Sequence, residues 1–397
     1  MNAGWRFDLL SLIESILILL VVAIGLGEVL SLFNLPDVVG AIVAGIILGP
    51  AVLGILRPND IFSAISDIAL FFLILQIGIE ASAEVFTLNV RYMFRSALLA
   101  FLVPLIVMTV GTNLIFHRSF LESFSISLAV GVPSISIASV LLIKSQLIKK
   151  DVGLKLLGGV AFSDLIAFVM LSSIGSTISK VGGVAASLIA FVLLLGLLDR
   201  YLKLRSEGVI RRAENFMERK EGLVFAIVII MGLAVSSLFE YIGITFVLGA
   251  FFSGLVIHRN TVGERVHGIL MRTFHRINSS FFIPIFFSIS GLLVTRISLA
   301  LVPLTLFLII VTAVLGGSLS YLVASRTLKD IRPSSAVGIF GARGAVGVII
   351  ASISLSRGFM GSQFYSIALV VTVIMAITFT FIFDFSIHGR RNAFTGT

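Results

Sequence analysis

The stretch AVGVPSISIASVLLI, residues 129–143, lies in an apolar run of membrane-spanning length. One glycine, one proline and three serines interrupt the run there. A second stretch, VGIFGARGAVGVIIAS at residues 337–352, carries four glycines around a charged residue, Arg343. Both compositions predict helices that break in mid-membrane, where unpaired backbone groups are tolerated only if they line a cavity or bind something. For either stretch alone, glycines that merely allow close helix packing are the alternative.

The rest of the chain has the composition of an integral membrane protein. Of its 397 residues, 58% are hydrophobic and only 12% are charged, against about 25% charged residues in an average soluble domain. Apolar runs of about 18 residues or more recur, and that length crosses bilayer hydrocarbon as a helix. The predicted fold class is therefore an all-α polytopic membrane protein. The chain has no cysteine, which excludes disulfides and thiolate metal sites.

Thirteen transmembrane helices are predicted from the apolar runs. Of the 29 Lys and Arg residues, 22 fall on the side opposite the N-terminus, six fall on the N-terminal side, and Arg343 lies within a span. Basic residues favour cytoplasmic loops, so the N-terminus is predicted outside and the C-terminus inside. The net charge of +9 is thus mostly a topology signal, and no nucleic-acid partner is expected. The spans lie near residues 8–33, 38–56, 61–80, 96–116, 122–143, 152–176, 181–198, 222–239, 241–257, 279–294, 297–325, 335–356 and 362–387.

The chain, residues 1–397, is predicted to be a single transmembrane unit that a cytoplasmic linker, 199–221, divides. A first bundle of seven helices covers 1–198, and a second bundle of six covers 222–397. The two interrupted spans are the fifth and the twelfth. Because their separation is odd, they run in opposite directions, as two inverted repeats do. For this matched pair, broken helices are favoured over close packing.

Asp164 lies in the apolar stretch GGVAFSDLIAF, residues 158–168. A carboxylate at mid-bilayer is costly and normally faces the bundle interior or a water cavity. Burial disfavours its ionised form, so a proton and a cation can compete for it. Ser163 offers a neighbouring hydroxyl, and such hard oxygen ligands suit a hard cation. The alternative is a structural hydrogen bond, or an ion pair with Arg343.

Arg343 is the second charge inside the membrane, and its guanidinium stays protonated. It is expected either to neutralise a carboxylate or to cap carbonyl groups at the break in its helix. Glu80 and Glu240 are the possible carboxylate partners, and Gln76 either lines a cavity or makes a packing contact. The sequence has no metalloprotease, nucleophile-elbow or phosphate-loop motif. Neither an enzyme nor a cofactor is expected.

Six segments together resemble the monovalent cation:proton antiporters, in particular their Kef-type and NapA-type branch. The resemblance covers essentially all thirteen spans. It implies the NhaA-like fold, with a dimerisation domain and a core domain in which two broken helices cross. It also implies a homodimer and an elevator-like movement of the core. The segments are DVVGAIVAGIILGP (37–50), ALFFLILQIGIE (69–80), GGVAFSDLIAF, TFVLGAFFSGLVI (245–257), FFIPIFFSISGLLV (281–294) and GARGAVGVIIAS (341–352).

The resemblance also implies roles for individual residues. Asp164 matches the second residue of the family's Asp-Asp or Asn-Asp pair, and Ser163 replaces the first. Ser134 and Ser136 match the unwound segment beside the ion, and Arg343 matches the arginine of the second broken helix. The eleventh span lacks the lysine of electrogenic members. With one titrating carboxylate, the expected stoichiometry is one cation for one proton, which is electroneutral.

The function expected from these observations is secondary antiport of Na⁺, with Li⁺ as a further substrate, for H⁺ across the inner cell membrane. A K⁺/H⁺ antiporter or K⁺ efflux system is the first alternative. The missing C-terminal nucleotide-binding domain of Kef systems favours Na⁺ over K⁺. A sodium-coupled symporter of an organic anion is an alternative from another class, and a channel or sensor is the least favoured.

Overall fold

The computed structural model describes residues 12–33, 35–80, 90–134, 137–138, 141–142, 151–174, 220–242, 245–257, 262–327 and 333–388. Throughout these ranges the regular structure is helical. The α-helices are α1 (Leu12–Ser31), α2 (Asp37–Leu48), α3 (Asp60–Glu80), α4 (Val90–Ala97), α5 (Val103–Ile115), α6 (Phe120–Gly131), α7 (Asp151–Ser173), α8 (Glu221–Tyr241), α9 (Phe246–Val256), α10 (Glu264–Ile277), α11 (Ile283–Leu292), α12 (Val302–Val311), α13 (Gly317–Thr327), α14 (Pro333–Gly341), α15 (Ala345–Ser356) and α16 (Ser362–His388).

Short segments of other helix types join some of these helices without a break. A 3₁₀ turn, Leu299–Leu301, precedes α12. Three π-helical segments connect α4 to α5, α10 to α11 and α12 to α13; they are Leu98–Leu102, Asn278–Phe282 and Thr312–Gly316. A π-helical turn locally widens the helix and often marks a functional position.

The described ranges contain eight helical stretches that are long and apolar enough to cross a membrane, and three shorter apolar helices. Multi-pass membrane insertion follows from these lengths. The predicted seventh span, 181–198, lies outside the described residues, as does nearly all of the predicted linker. The number thirteen and the two-bundle division therefore stay predictions.

The chain between the ninth and tenth predicted spans is a helix where a loop was expected. α10 is polar on one side, and its other side buries Val266, Leu270 and Phe274. The prediction of a loop was wrong because it relied on continuous apolar runs, and an amphipathic helix has none. The fourth span is extended in the same way, since α4 begins at Val90, six residues before the predicted start.

One compact unit comprises Met1–Ser66, Asn89–Ala167 and Ile283–Thr397. Within it, α1, α2 and α11 pack on one another. A Cβ at Gly45 would collide with the carbonyl oxygen of Ser288, and a Cβ at Gly291 with that of Ile42. Small residues thus let α2 and α11 approach closely, as is common between membrane helices. In the same unit α6 packs on α5, α15 and α16, and α14 packs on α13 and α16.

The other unit comprises Asp67–Leu88 and Phe168–Phe282. Its helices α8 and α9 pack where a Cβ at Gly249 would lie only 2.7 Å from Ser236 Cα. The rings of Phe72 and Phe282 stack with their centroids 4.3 Å apart. Glycine contacts and aromatic stacking therefore hold this unit together as well.

Candidate functional site

The first interrupted span breaks where its composition predicted a break. α6 begins after Ser119, whose Oγ accepts a hydrogen bond from the Glu122 N–H at 3.2 Å, and it ends at Gly131. The next residues are extended, with Val132 at φ −72° and ψ 129°. Pro133 has no N–H to continue the helical hydrogen bonds. Ser134 is buried at the end of this extended segment.

The second interrupted span breaks in the same manner and meets the first. α14 ends at Gly341, and α15 starts at Ala345. Between them, the Ala342 carbonyl accepts a hydrogen bond from the Ser134 N–H at 3.0 Å. A Cβ at Gly344 would lie 2.7 Å from Ser134 Oγ and 2.8 Å from Ile137 Cδ1. The two breaks are therefore in direct contact, which leaves no free space for a Cβ at residue 344; we call this contact the crossing.

Arg343 is fully buried at this crossing and joins the two half-helices. Its Nε donates to the Val130 carbonyl at 3.0 Å, and its Nη1 donates to the Phe340 carbonyl at 2.5 Å. Val130 lies in the last turn of α6 and Phe340 in the last turn of α14, where carbonyl groups have no helical partner. Arg343 therefore caps carbonyl groups at the helix breaks, which is one of the two roles that the sequence predicted for it. In the described part of the chain, no carboxylate hydrogen-bonds to this guanidinium.

The π-helical segment Thr312–Gly316 makes room for the same guanidinium. A Cβ at Gly316 would lie 3.2 Å from Arg343 Nη2, a closer approach than side chains normally make. Nε and Nη1 donate to carbonyl groups, while Nη2 has no hydrogen-bond partner among the described residues. A charge of +1 thus remains at the crossing with one unused donor group.

Asp164 lies on α7 and is fully buried. Neither of its carboxylate oxygens has a hydrogen-bond partner within the described ranges. The adjacent Ser163 is also buried, and its Oγ donates to the Gly159 carbonyl at 3.0 Å. An unpartnered buried carboxylate is costly when it is ionised. It needs a proton or a cation beside it.

A contact at Gly159 connects α7 to the second broken helix. A Cβ there would lie 2.9 Å from the ring of Phe340 and would collide with Ser96 Oγ. Phe340 is also the residue whose carbonyl accepts from Arg343. Four of the five predicted site residues lie in the described part of the chain. Ser134 and Arg343 lie at the crossing, Ser163 and Asp164 lie on a helix that contacts α14, and Ser136 lies outside the described residues.

The residues proposed as carboxylate partners of Arg343 have other surroundings. Gln76 Nε2 donates to Glu80 Oε1 at 2.6 Å. Asn278 Nδ2 donates to Gln76 Oε1 at 2.5 Å and to the Phe72 carbonyl at 3.1 Å. Gln76 thus makes hydrogen bonds on α3, and Glu240 is exposed at the end of α8. Asn278 was not among the predicted site residues, because its only sequence signal is an amide at the junction between a basic and an apolar segment.

Comparisons with known proteins agree with this architecture. The family described as "Sodium/hydrogen exchanger, transmembrane" matches residues 16–385. The "Probable Na(+)/H(+) antiporter 3" of Methanocaldococcus jannaschii is 26% identical over 88% of this chain and 90% of its own length. The "Na(+)/H(+) antiporter" of Enterococcus hirae is 26% identical over 91% of this chain and 94% of its own length.

The fold also matches a solved structure, the sodium proton antiporter MjNhaP1 from Methanocaldococcus jannaschii at pH 8. The TM-score is 0.66 at 13% identity, over 94% of this chain and 95% of the other. The match supports the all-helical antiporter fold, whereas the narrower Kef and NapA branch stays a prediction. Together with the family match over nearly the whole chain, this means that the protein belongs to the sodium/hydrogen exchanger family of membrane transporters.

Proposed function

We propose that this protein exchanges a monovalent cation, Na⁺ or Li⁺, for H⁺ by alternating access, with Asp164 as the site that both ions share. The observation that carries the proposal is the buried Asp164 carboxylate, whose two oxygens have no hydrogen-bond partner among the described residues. A proton on this carboxylate removes the charge that attracts a cation. Binding of one ion therefore excludes the other, which is the requirement for exchange.

Helix geometry supports a position for Asp164 level with the crossing of the broken helices. The chain before α7 carries Lys149 and Lys150, and the chain before α14 carries Lys329 and Arg332. By the positive-inside rule both helices enter the membrane from the cytoplasm and run in the same direction. From the contact between Gly159 and Phe340, five residues or about 7 Å along α7 lead to Asp164, and the break in the other helix begins two residues after Phe340, at Ala342, so the two lie at a similar depth.

The same level offers further oxygen ligands to a cation. Ser134 Oγ is buried, and it has no hydrogen-bond partner in the described part of the chain. Ser163 donates its proton to a carbonyl, so the lone pairs of its Oγ are available. Ser136 is also proposed as a ligand, because it matches a position in the unwound segment that lies beside the ion in the family that the sequence resembles. Carboxylate and hydroxyl oxygens suit a hard monovalent cation.

Arg343 is proposed as a structural charge and not as a transported-ion ligand. It donates to the C-terminal ends of α6 and α14, and each of these ends carries a partial negative charge. Without a cation between them, the two ends would repel each other in a medium of low dielectric. The guanidinium therefore holds the crossing together, beside the carboxylate that titrates.

One carboxylate favours an exchange of one cation for one proton. Loaded with either ion, the Asp164 site is neutral. An empty, ionised site would cost several kcal/mol to enclose in a low dielectric. This penalty discourages the unloaded return and so couples the two ions. We further propose a homodimer in the inner cell membrane, with the N-terminus outside, the C-terminus in the cytoplasm and an elevator-like movement of the core.

A proteoliposome assay tests the proposed function. Purified protein is reconstituted into liposomes whose interior is acidic relative to the outside. Na⁺, Li⁺ or K⁺ is then added to the outside, and the dequenching of a pH-sensitive dye is followed. The wild type is expected to respond to Na⁺ and Li⁺ without any organic solute. Asp164→Asn is expected to abolish the response, while its thermal stability in detergent remains close to that of the wild type. Retained exchange in a folded Asp164→Asn protein would remove Asp164 from the mechanism.

K⁺ in place of Na⁺ is the second candidate. A relative from Bacillus cereus that is 24% identical over 87% of this chain is named "Na(+)/H(+)-K(+) antiporter GerN". The same assay separates the two, since a dequenching response to K⁺ that exceeds the response to Na⁺ would assign the protein to K⁺. A response that needs an added organic anion would indicate a symporter instead.

A further inference from the structure

The helix formed by α10 and α11 carries basic residues just before its apolar part. The π-helical segment Asn278–Phe282 has five residues and α11 has ten, while about 20 residues are needed to cross the hydrocarbon. The helix continues without a break into α10. Counted back from Leu292, a length of about 20 residues extends into the end of α10, close to Arg272 and Arg276.

These two arginines belong to a stripe on one face of the helix. Arg272 and Arg276 are exposed and lie one turn apart. Exposed Arg265 lies two turns before Arg272, and exposed Ser279 lies one turn after Arg276, so all four share a face. We call Arg265, Arg272 and Arg276 the basic stripe. The only acidic residue of α10, Glu264, is in its first turn, away from Arg272 and Arg276.

The order of chemical groups along this helix follows the order of groups in a phospholipid. The basic stripe is followed by the hydroxyl groups of Ser279 and Ser280, which are exposed, and then by Phe281, which is 39% exposed. Phosphate, glycerol ester and acyl chain follow one another in the same order in a lipid. Guanidinium groups bind phosphate oxygens through paired hydrogen bonds.

We propose that the basic stripe binds the phosphate of an anionic phospholipid, with Arg272 and Arg276 as its main ligands. By the basic excess of this side, the lipid belongs to the cytoplasmic leaflet. The site is separate from Asp164, and it would exist whether or not Asp164 carries the transport.

A thermal-shift titration of the full-length protein in neutral detergent tests this site. The probes are phosphatidylglycerol, phosphatidylcholine and inorganic phosphate. Phosphatidylglycerol is expected to raise the unfolding midpoint of the wild type by about 4 °C, with little effect of the other two. The double variant Arg272→Gln/Arg276→Gln is expected to lose most of that shift.

The control is the double variant Arg57→Gln/Arg357→Gln, which removes two exposed arginines on the other predicted side of the membrane. It is expected to keep the full shift, and Arg272→Lys/Arg276→Lys to keep part of it. An equal shift in all variants would overturn the site, and an equal shift with inorganic phosphate would overturn the lipid assignment. If Arg272→Gln/Arg276→Gln does not fold, the two single variants are measured, and each is expected to lose part of the shift.

Discussion

Gly344 is the residue at which the crossing of the broken helices leaves no room for a side chain. A Cβ at this residue would come within 3 Å of both Ser134 Oγ and Ile137 Cδ1, and both neighbours belong to the first interrupted span. Gly344→Ala must therefore displace the side chains of Ser134 and Ile137, of which Ser134 is a proposed cation ligand. Because misplaced ligands weaken transport strongly, the Na⁺-dependent proton flux in proteoliposomes is expected to fall roughly tenfold or more.

Gly25→Ala is the matched control for this substitution. It also adds one methyl group to a glycine of a membrane helix, but nothing lies within 4 Å of the new Cβ. Flux and unfolding midpoint should both stay close to the wild-type values. A Gly344→Ala protein with unchanged flux would mean that the contact between the breaks does not shape the ion site.

At the same scale, the sequence indicated which residues carry charge into the membrane but not what Arg343 binds. Asp164 and Arg343 were found because a charge in an apolar run is costly. The choice between a carboxylate and carbonyl groups as partners of Arg343 remained open. One of its two acceptors, the Val130 carbonyl, is 213 residues away, and no local pattern reports a contact over that distance.

At the scale of elements, Asn278 fixes the π-helical segment between α10 and α11 to α3. Its amide donates to Gln76 Oε1 and to the Phe72 carbonyl. Asn278→Ala leaves both acceptors buried without this donor, at a cost of about 1–3 kcal/mol. The unfolding midpoint in detergent is expected to fall by about 1–4 °C, because an unfolding entropy of about 2 cal/mol/K per residue gives about 1 °C per kcal/mol for a chain of this length.

Ser280→Ala serves as the comparison for Asn278→Ala, since Ser280 lies in the same π-helical segment and is exposed. Its midpoint should not change measurably. Should both variants unfold at the wild-type temperature, the polar contacts of Asn278 would contribute nothing to the stability of this junction.

The same region shows what an apolar run does and does not predict. The long apolar helix α8, predicted at 222–239, was placed within two residues of its observed ends, Glu221 and Tyr241, because burial in lipid demands an uninterrupted run. α10 was missed because its stability comes from one buried face, with polar residues between the apolar ones. The helix that carries the basic stripe was therefore not predicted from apolar runs.

At the scale of the whole molecule, the proposed stoichiometry makes transport independent of membrane potential. If one cation moves against one proton, no net charge crosses in a cycle. With K⁺ and valinomycin setting an inside-negative or inside-positive potential, the final pH gradient reached at a fixed Na⁺ gradient should be the same. A final gradient that follows the potential would require more than one proton per cation, and so a second titrating group.

The architecture of the whole chain was predictable to the level of its family and no further. The composition predicted a polytopic helical protein, and both breaks lie where glycine, proline and serine interrupt apolar runs. The two compact units interleave along the sequence. Such interleaving depends on contacts between distant segments, which a reading of consecutive spans does not contain.

The bridge made by Arg343 has a consequence for the order in which the protein is synthesised. The end of α6 reaches the membrane early, but the guanidinium that binds its Val130 carbonyl follows 213 residues later. Until that point the first half-helix depends on water or on temporary neighbours. The nascent chain therefore completes the contact between the two breaks only after α14 has left the ribosome, and a truncated copy that ends before α14 would present an unfinished α6 to the quality-control proteases of the membrane.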